Sequence, residues 1–576
     1  MKQVIQESIF RAISFLFEKD ASEFSPRETD IAIIPPKDES HGDFSTNIGM
    51  VLAKPLHKSP IEIARLLAEN LQSDERMKQF RIEAVVPGYL NFSYTDEALV
   101  EWGETVVRQG TIPKFFETST GNNAPARFLL EFISANPTGP LHLGNARGGF
   151  LGDALSKVLR RAGHAVSTEY YVNDAGEQME KLGHSVLKDS EAVYGGTYID
   201  LLHEEFECER ERKSAVFSAS SHVSETGKQQ TTEEVFPNPR AVGTWAGKRI
   251  LETSIKPTLL AKMGIHFDAF VFEKHDVVER GYVDQAIRIF QENHHTFEHD
   301  GALWLKTTKF GDDKDRVLVK QTGERTYFAS DCGYLLHKKE RGFDRVVHIL
   351  GADHHGYVSR LRAAAEALGF ERDAVSCVLV QLVRLVRNGE EVRMSKRAGT
   401  VVTIDDLVDM VGKDVARFFF ALYHPDTHLN FDLSLAEERS RKNPVYFVQY
   451  AHARMSSILG KAQSFFQEEG IPATISYEAR SFESVFPLHS KERLLVRHLI
   501  KFSDVVLDCS ESLTVHQLPQ YAIRLADIFH SFYDECVVLD RSDILRTRAR
   551  LALVSAAQIT LGETLSLLGV SAPEHM

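Results

Sequence analysis

The segment RFLLEFISANPTGPLHLGNARGGFLGDALSKVLRRAGH, residues 127–164, decides the fold of this chain. Its first part is an apolar run, which predicts a β-strand, and its last part places apolar residues on one helical face. Between them, Ser134 to Gly149 contains two prolines and four glycines. A strand, a glycine-rich turn and a helix form the opening unit of a parallel α/β sheet.

The start of the predicted helix is a candidate nucleotide site. Its unpaired N–H groups favour a phosphate, and glycine lets a ligand approach the backbone closely. Neither the P-loop pattern nor the dinucleotide glycine spacing is present, so the phosphates need another cation. His142 and Gly144 form a His-x-Gly pair, which alone is uninformative, because a turn with a locally packed or capping histidine explains it equally well.

Composition indicates a globular protein of several domains. The chain has 576 residues, 43% of them hydrophobic, and a net charge of −14. Any polyanion site must therefore be local. The five cysteines have no zinc-ligand spacing, so we expect reduced thiols and no zinc or other protein-bound metal. The N-terminus resembles an amphipathic helix rather than a signal peptide, and no apolar run approaches 18 residues. We expect a soluble cytoplasmic protein without a membrane span.

Four regions follow from the pattern of predicted elements. Residues 1–112 mix helices, among them Pro60 to Leu71, with strands, as an α+β domain does. Residues 113–385 alternate strands and helices around a parallel sheet, with a polar, mobile insertion expected at 205–240. Residues 386–435 form a connecting segment, and residues 436–576 read as an α-helical bundle.

A second motif closes the α/β region. VRMSKRAGTVVTIDDLV, residues 392–408, places Arg393, Lys396 and Arg397 around Met394 and Ser395, followed by a glycine turn. An exposed basic loop is usually only a solvated surface. Here, however, it ends a domain that opened with His-x-Gly after its first strand.

Together the two motifs resemble those of class I aminoacyl-tRNA synthetases, which are of the His-Ile-Gly-His and Lys-Met-Ser-Lys-Ser types. The resemblance implies that His142, Gly144 and Asn145 face the phosphates of ATP, while Lys396 closes over the pyrophosphate with Arg393, Met394 and Ser395. Magnesium would enter with ATP. Two positions depart from the pattern: Asn145 replaces the second histidine and Arg393 replaces the first lysine. Asparagine keeps a donor, and arginine keeps the charge with a different geometry.

Further segments narrow the resemblance to the arginyl-tRNA synthetase family. They are EFISANPTGPLHLGNARGG, EYYVNDAGEQ, GADHHGYVSRLRAA, SKRAGTVVTIDDLV, NPVYFVQYAHAR and LLGVSAPEHM. The resemblance implies a Rossmann-like catalytic domain, an N-terminal domain that reaches the tRNA elbow and a C-terminal anticodon-binding bundle. It implies ATP-dependent activation of L-arginine and transfer to the 3' adenosine of tRNA(Arg), by a monomer.

The matched pocket should contain carboxylates, because a buried guanidinium needs paired acceptors. The resemblance assigns this role to Glu273 and Asp331, with the Tyr327 hydroxyl beside them. Tyr327 and Asp331 are four residues apart, so they share a face if the segment is helical. The resemblance also gives Glu131, Asn136 and Asp353 the amino and carboxylate end of arginine or the ribose. Their division of work stays open, and each acid could equally be a surface charge.

Contacts to tRNA are expected at both ends of the chain. In GYLNF, Tyr89 and Asn91 share one face of a strand and suit an unpaired base, although a plain packed strand is an equal reading. The resemblance places Phe447, Tyr450 and Arg454, with Met576, at the anticodon. Core packing is the alternative for the two aromatic residues. The cluster RSDILRTRAR, residues 541–550, could contact phosphates.

Two other functions stay open at this point. A related nucleotidyltransferase with a small-molecule acceptor would share the His-x-Gly loop but would not need the long helical C-terminal region. A catalytically silent tRNA-binding paralogue would fit the departures at Asn145 and Arg393. Retention of His142, Gly144 and Lys396 favours an active enzyme.

Overall fold

The computed structural model describes residues 1–16, 31–34, 36, 41–112, 125–220, 238–392, 402–470 and 488–576. The N-terminal region is an α+β domain, as the sequence predicts. Its elements are α1 Lys2–Leu16, β1 Phe44–Thr46, α2 Ile48–Ala53, α3 Pro60–Gln72, β2 Phe80–Val85, β3 Tyr89–Tyr94 and α4 Asp96–Gln109. The strands pair antiparallel in the order β1-β3-β2. Ser59 caps α3 and Pro60 occupies its first turn, which explains where this helix starts.

The remaining strands are β4 Arg127–Glu131, β5 Ala165–Val172, β6 Ala269–Phe272, β7 Thr296–His299, β8 Ala302–Leu305, β9 Arg316–Val319, β10 Arg345–Gly351, β11 Val375–Val380, β12 Val383–Arg387, β13 Glu390–Glu391 and β14 Leu429–Asp432. The remaining helices are α5 Leu143–Arg161, α6 Glu177–Leu187, α7 Thr197–Ser220, α8 Pro239–Ile250, α9 Tyr282–Glu292, α10 Tyr327–Glu340, α11 His355–Ala367, α12 Ile404–Val411, α13 Lys413–Ala421, α14 Leu433–Glu437, α15 Pro444–Glu468, α16 Ser490–Ser512, α17 Gln517–Glu535 and α18 Ile544–Leu568.

The predicted parallel sheet has the order β11-β10-β4-β5-β6, and every neighbouring pair in it is parallel. The strand order reverses between β4 and β10, where His348 lies opposite Glu131. In doubly wound sheets the crevice at such a reversal, outside the carboxyl ends of the strands, is where ligands bind. The loop after β4 and the turn after β10 therefore meet at the candidate site.

Helix α5 packs closely against the sheet because it lacks side chains at two contacts. A Cβ atom on Gly149 would lie 2.8 Å from the side chain of Ile133, and one on Gly152 would overlap the ring of Phe132. Ile133 and Ser134 both have positive φ, 68° and 41°. Such left-handed backbone is strained for a β-branched residue, and it reverses the chain between β4 and the loop.

Two features of the catalytic region were not anticipated. β7, β8 and β9 form a separate antiparallel sheet, and β12 pairs with β13 and β14 rather than extending the parallel sheet.

In the expected insertion at 205–240, residues up to 220 belong to α7, and residues 221–237 lie outside the described residues. Nearby, α6 and α8 touch through Gly183 and Gly243, where an added Cβ would overlap the facing backbone.

The C-terminal bundle, α15 to α18, is tied to both other regions by polar contacts. Arg417, fully buried, pairs with Asp153 of α5 and donates to the carbonyl oxygen of Leu568 at 2.8 Å. On the other side, the Met1 ammonium lies 2.8 Å from Asp504 of α16. The three regions therefore share extensive buried contacts.

Helix α18 has the length and the apolar composition of a helix that could cross a membrane. It was not detected from the sequence, because only uninterrupted apolar runs were considered there. However, 67% of its most apolar window is buried inside the protein. Such burial is typical of the core helix of a globular bundle.

Arg550 of the basic cluster is also buried, with its Nε 2.7 Å from Glu492, so this arginine stabilises the bundle rather than contacting phosphates.

Candidate active site

The HLGN turn begins α5 with a reciprocal cap. Nδ1 of His142 accepts a hydrogen bond from the backbone N–H of Gly144 at 3.1 Å. The Asn145 side chain in turn accepts one from the backbone N–H of His142 at 3.2 Å. This capping box fixes the direction in which the helix start points. A Cβ on Gly144 would lie 2.9 Å from the imidazole, so a side chain here would displace His142.

The second motif returns to this turn. The backbone N–H of Leu143 donates to the carbonyl oxygen of Val402 at 3.3 Å, and the N–H of Ile404 donates to that of Leu141 at 3.1 Å. Arg393, Met394, Ser395 and Lys396 lie outside the described residues. The chain that follows them is nevertheless attached to the HLGN turn. The end of the second motif, from Val402 onward, therefore lies beside the HLGN turn.

The predicted guanidinium acceptors are brought together at one end of α10, which is helical from Tyr327. Glu273 is 4% exposed, and its carboxylate is hydrogen-bonded by the hydroxyls of Ser330 and Tyr171. Its Oε2 has no hydrogen-bond partner. Asp331 is hydrogen-bonded by the hydroxyl of Tyr357. Hydroxyl groups neighbour both carboxylates, and the charge of Arg360 also acts on Asp331.

The electrostatics of this pair favour the protonated forms of both carboxyl groups. Burial raises the pKa of Asp331 to about 7, and the nearby charges of Glu273 and Glu131 add to the rise, whereas the Tyr357 hydroxyl and the charge of Arg360 oppose it. Burial likewise raises the pKa of Glu273. A cationic ligand between the two carboxylates would lower both pKa values by favouring the charged forms.

A cavity of about 870 Å³ opens beside Glu273, lined by Glu273, Ser330 and Tyr327 and, further out, by residues of α8 and of the β9–α10 loop. Tyr327 is 58% exposed, at the first position of α10. The other expected arginine or ribose contacts, Asn136 and Asp353, are also exposed. Asn136 lies in the loop after β4, and Asp353 lies in the turn after β10, on either side of the crevice.

Glu131 occupies the base of the crevice and is fully engaged. Its Oε2 pairs with the amino group of Lys338 and lies 3.0 Å from Nδ1 of His348. Its Oε1 accepts a hydrogen bond from Ser134 at 3.0 Å. Burial alone would raise the pKa of Glu131, but the charge of Lys338 and the contact with His348 hold it well below its ordinary range.

Sequence reasoning missed several of these groups. Lys338 and His348 resemble ordinary helix and strand residues, and no spacing pairs them with Glu131. The hydroxyls of Tyr171 and Tyr357 lie in EYYVNDAGEQ and GADHHGYVSRLRAA, so the family resemblance could have indicated them. Arg147, two residues after the HLGN turn, is buried and donates to the carbonyl oxygens of Thr427 and His424 at 2.7 and 2.9 Å.

The two candidate elbow residues differ in exposure. Tyr89 is half-buried at the start of β3, whereas Asn91 is 7% exposed. The Oδ1 of Asn91 accepts a hydrogen bond from Ser45 of β1 at 2.7 Å. This hydrogen bond between β1 and β3 means that sheet packing accounts in part for the buried position of Asn91.

The candidate anticodon residues surround a histidine. Phe447 and Tyr450 of α15 lie 5.4 and 5.9 Å from the His530 ring, measured between ring centroids, and Arg454 lies 3.4 Å from its Nδ1. Burial, with the charge of Arg454, lowers the pKa of His530 to about 4. The C-terminal tail crosses α15, held by a 2.9 Å contact between His452 and the Pro573 carbonyl, and Met576 is exposed.

Three family descriptions cover most of the chain. The arginyl tRNA synthetase N-terminal domain matches residues 2–94, the catalytic domain of class I (R) tRNA synthetases matches residues 117–418, and the DALR anticodon binding domain matches residues 448–576. The chain belongs to the arginyl-tRNA synthetase family. The predicted fold class, a class I catalytic domain between an N-terminal α+β domain and a helical C-terminal region, is thereby confirmed.

Individual relatives agree with this family. The arginine–tRNA ligase of Listeria monocytogenes is 38% identical over 603 residues, which cover 100% of both chains. That of Geobacillus kaustophilus is 39% identical, with 95% of this chain and 94% of the relative covered. Among solved structures, a putative arginyl-tRNA synthetase of Campylobacter jejuni has a TM-score of 0.68 at 30% identity, covering 84% of this chain and 100% of that one. The arginyl-tRNA synthetase of Thermus thermophilus has a TM-score of 0.75 over both whole chains at 22% identity, which speaks for the fold alone.

Proposed function

We propose that this protein is an arginine–tRNA ligase that activates L-arginine with ATP and transfers it to the terminal adenosine of tRNA(Arg). The observation that carries the substrate choice is the pair of neighbouring carboxylates, buried Glu273 and half-buried Asp331, whose pKa values are both raised. Membership in the family supports the reaction class. We further infer that the enzyme acts as a monomer in the cytoplasm.

In this proposal the guanidinium of arginine lies between Glu273 and Asp331, with the Tyr327 hydroxyl beside it. A planar cation with five donors satisfies both acceptors, including the Oε2 of Glu273 that has none otherwise. A neutral substrate would leave the buried Oε2 of Glu273 unpaired, so discrimination against it is strong without an editing site. Glu131, Asn136 and Asp353 serve the amino and carboxylate end of arginine or the ribose.

The arginine carboxylate attacks the α-phosphate of ATP, and pyrophosphate leaves. His142, Gly144 and Asn145 hold the phosphates at the start of α5, while Lys396, with Arg393, Met394 and Ser395, neutralises the departing pyrophosphate. Magnesium bound with ATP would share this neutralisation. Within the described ranges, no group of three or more histidine, cysteine or acidic side chains is placed to hold a metal. Phosphate oxygens are therefore expected to supply most of its ligands.

For tRNA, we propose that Tyr89 and Asn91 contact a base at the elbow. Phe447, Tyr450 and Arg454 face the anticodon with Met576. The half-buried rings of the second group suit stacking on unpaired bases, and Arg454 supplies a cation.

The test is pyrophosphate exchange into ATP, measured over the amino acids with and without tRNA(Arg). We expect exchange with arginine, and little of it without tRNA. Absence of arginine-dependent exchange even with tRNA would reject the function. A small-molecule acceptor, or a silent paralogue, would give that negative result.

Asp331→Ala tests the substrate assignment. A truncated partner of a buried charge pair costs about 2 to 5 kcal/mol, so kcat/KM for arginine should fall by that amount while the KM for ATP changes little. An unchanged kcat/KM for arginine would remove Asp331 from the pocket.

A further inference from the structure

Lys338 is a fully buried lysine directly beneath the proposed arginine pocket. It lies on α10 seven residues after Asp331, two turns along the same helix face. Its amino group pairs with Glu131, lies 3.4 Å from Nε2 of His348 and lies 3.9 Å from the centroid of the Tyr334 ring. Burying an ammonium group is costly unless it is paired, and all of its described partners belong to the walls of the crevice.

From this lysine a continuous series of contacts leads to the carboxylate pair. Glu131, held by Lys338, accepts a hydrogen bond from the Ser134 hydroxyl at 3.0 Å. The Ser134 oxygen accepts one from the backbone N–H of Tyr171 at 3.1 Å. The Tyr171 hydroxyl neighbours the Glu273 carboxylate and acts to lower its pKa.

Ring packing reinforces the same series. The rings of Tyr171 and Tyr334 are stacked with their centroids 4.1 Å apart, and Lys338 lies against the Tyr334 ring on α10. The side chain that orients Glu273 is therefore fixed both through its backbone and through its ring. Both connections lead to Lys338.

We propose that Lys338 is a positioning residue for the amino-acid pocket: through Glu131, Ser134 and Tyr171 it holds Glu273 where the guanidinium of arginine binds. The inference rests on the proposed function and adds to it a residue that does not touch the substrate. Loss of the lysine leaves Glu131 buried without its cation, so the Ser134 loop and Tyr171 lose their fixed position. We expect this displacement to alter the arginine pocket and not the residues at the start of α5 that hold the ATP phosphates.

Lys339 offers a matched control on the same helix. Its amino group donates to the Leu368 carbonyl oxygen and lies 5.8 Å from the Phe370 ring centroid, on the side of α11. It is partly buried, whereas Lys338 is fully buried, and it too is engaged, but none of its described contacts belongs to the series that ends at Glu273. The same substitution at both positions therefore separates a role in the pocket from a role in folding.

The experiment compares Lys338→Met and Lys339→Met with the wild type by pyrophosphate exchange in the presence of tRNA(Arg), together with thermal melting. We expect the KM for arginine to rise about tenfold or more in Lys338→Met, with the KM for ATP within about twofold. Lys339→Met should keep both constants. A loss of folded protein would lower only the apparent kcat, so the change in KM distinguishes positioning from stability.

Ser134→Ala covers the case in which Lys338→Met does not fold. It leaves the buried ion pair in place and breaks the series at its middle, so the KM for arginine should rise severalfold with little change in melting temperature. A folded Lys338→Met with the wild-type KM for arginine, or an unchanged KM in Ser134→Ala, would overturn the inference. Wild-type protein without arginine-dependent exchange would instead reject the proposed function.

Discussion

The side chain of Asn145 accepts a hydrogen bond from the backbone N–H of His142, three residues earlier, at 3.2 Å. Asn145 is the position at which the first synthetase motif usually has its second histidine. Here the residue completes the reciprocal cap of α5. The departure from the motif is thus compatible with an ordered nucleotide site, because the asparagine fixes the backbone that carries His142.

Asn145→Ala removes the acceptor of this cap. We expect the free energy of unfolding to fall by about 1 kcal/mol, the usual cost of a lost cap, together with slower exchange. Asn145→Asp keeps an acceptor and should retain stability, but its charge repels the ATP phosphates, so the KM for ATP should rise. Denaturant unfolding and ATP titrations measure these effects. Wild-type stability in Asn145→Ala would show that the cap contributes nothing.

Arginine binding should release a proton near neutral pH. Because the pKa of Asp331 is raised to about 7, a fraction of the empty protein holds a proton that the guanidinium must displace. Below pH 7 the affinity for arginine should fall, approaching tenfold per pH unit, and above pH 7 it should level off. Calorimetric titrations in buffers of different ionisation enthalpy measure the released proton. In Asp331→Asn the binding should be weaker and its pH dependence reduced.

The same raised pKa also affects stability. Asp331 binds a proton more tightly in the folded state than in the unfolded chain, so its contribution to stability is lost as pH rises from about 4 to about 7. In the absence of arginine, Asp331→Asn should melt at a higher temperature than the wild type at pH 7.5, with a smaller difference at pH 5. Identical melting curves at both pH values would contradict a raised pKa.

Glu273→Gln should stabilise the protein and lower its activity with arginine. The substitution removes a buried carboxylate whose Oε2 has no partner, so the melting temperature should rise. It also removes one of the guanidinium acceptors, so kcat/KM for arginine should fall by about 2 to 5 kcal/mol. Glu279→Gln, in the exposed wall of the same cavity, is the control and should alter neither quantity. Retained arginine use in Glu273→Gln would exclude this carboxylate as a substrate contact.

Gly243→Ala tests the contact between α6 and α8. An added Cβ would overlap the carbonyl oxygen of Met179, so the helices must move apart and the protein should be destabilised by about 1 to 3 kcal/mol. Gly460 of α15 has open space around it. Gly460→Ala should therefore stabilise the protein by about 0.5 to 1 kcal/mol, the ordinary gain of alanine over glycine in a helix. Equal effects at the two positions would contradict the close crossing.

Local patterns predicted much of the fold. The Pro60 helix, the strand-turn-helix unit at 127–164 and the helical C-terminal region all rest on signals within a few turns of chain, namely caps, glycine turns and apolar periodicity. The antiparallel sheet β7-β8-β9 was missed, because its strands are four residues long and their pattern is too short to distinguish from loops. The pairing of β12 with β14 was missed because it joins residues more than 40 positions apart.

The sequence by itself determined the chemistry available to this protein: a histidine and glycines at a helix start, a distant basic loop and several acids that could receive a guanidinium. Only the tertiary structure decided how those groups are used. It attached the chain after the basic loop to the HLGN turn, left the Oε2 of Glu273 without a hydrogen-bond partner, and gave Glu131 the buried Lys338. The physical reason is that burial and charge pairing depend on which residues the parallel sheet brings together, and no local spacing records that.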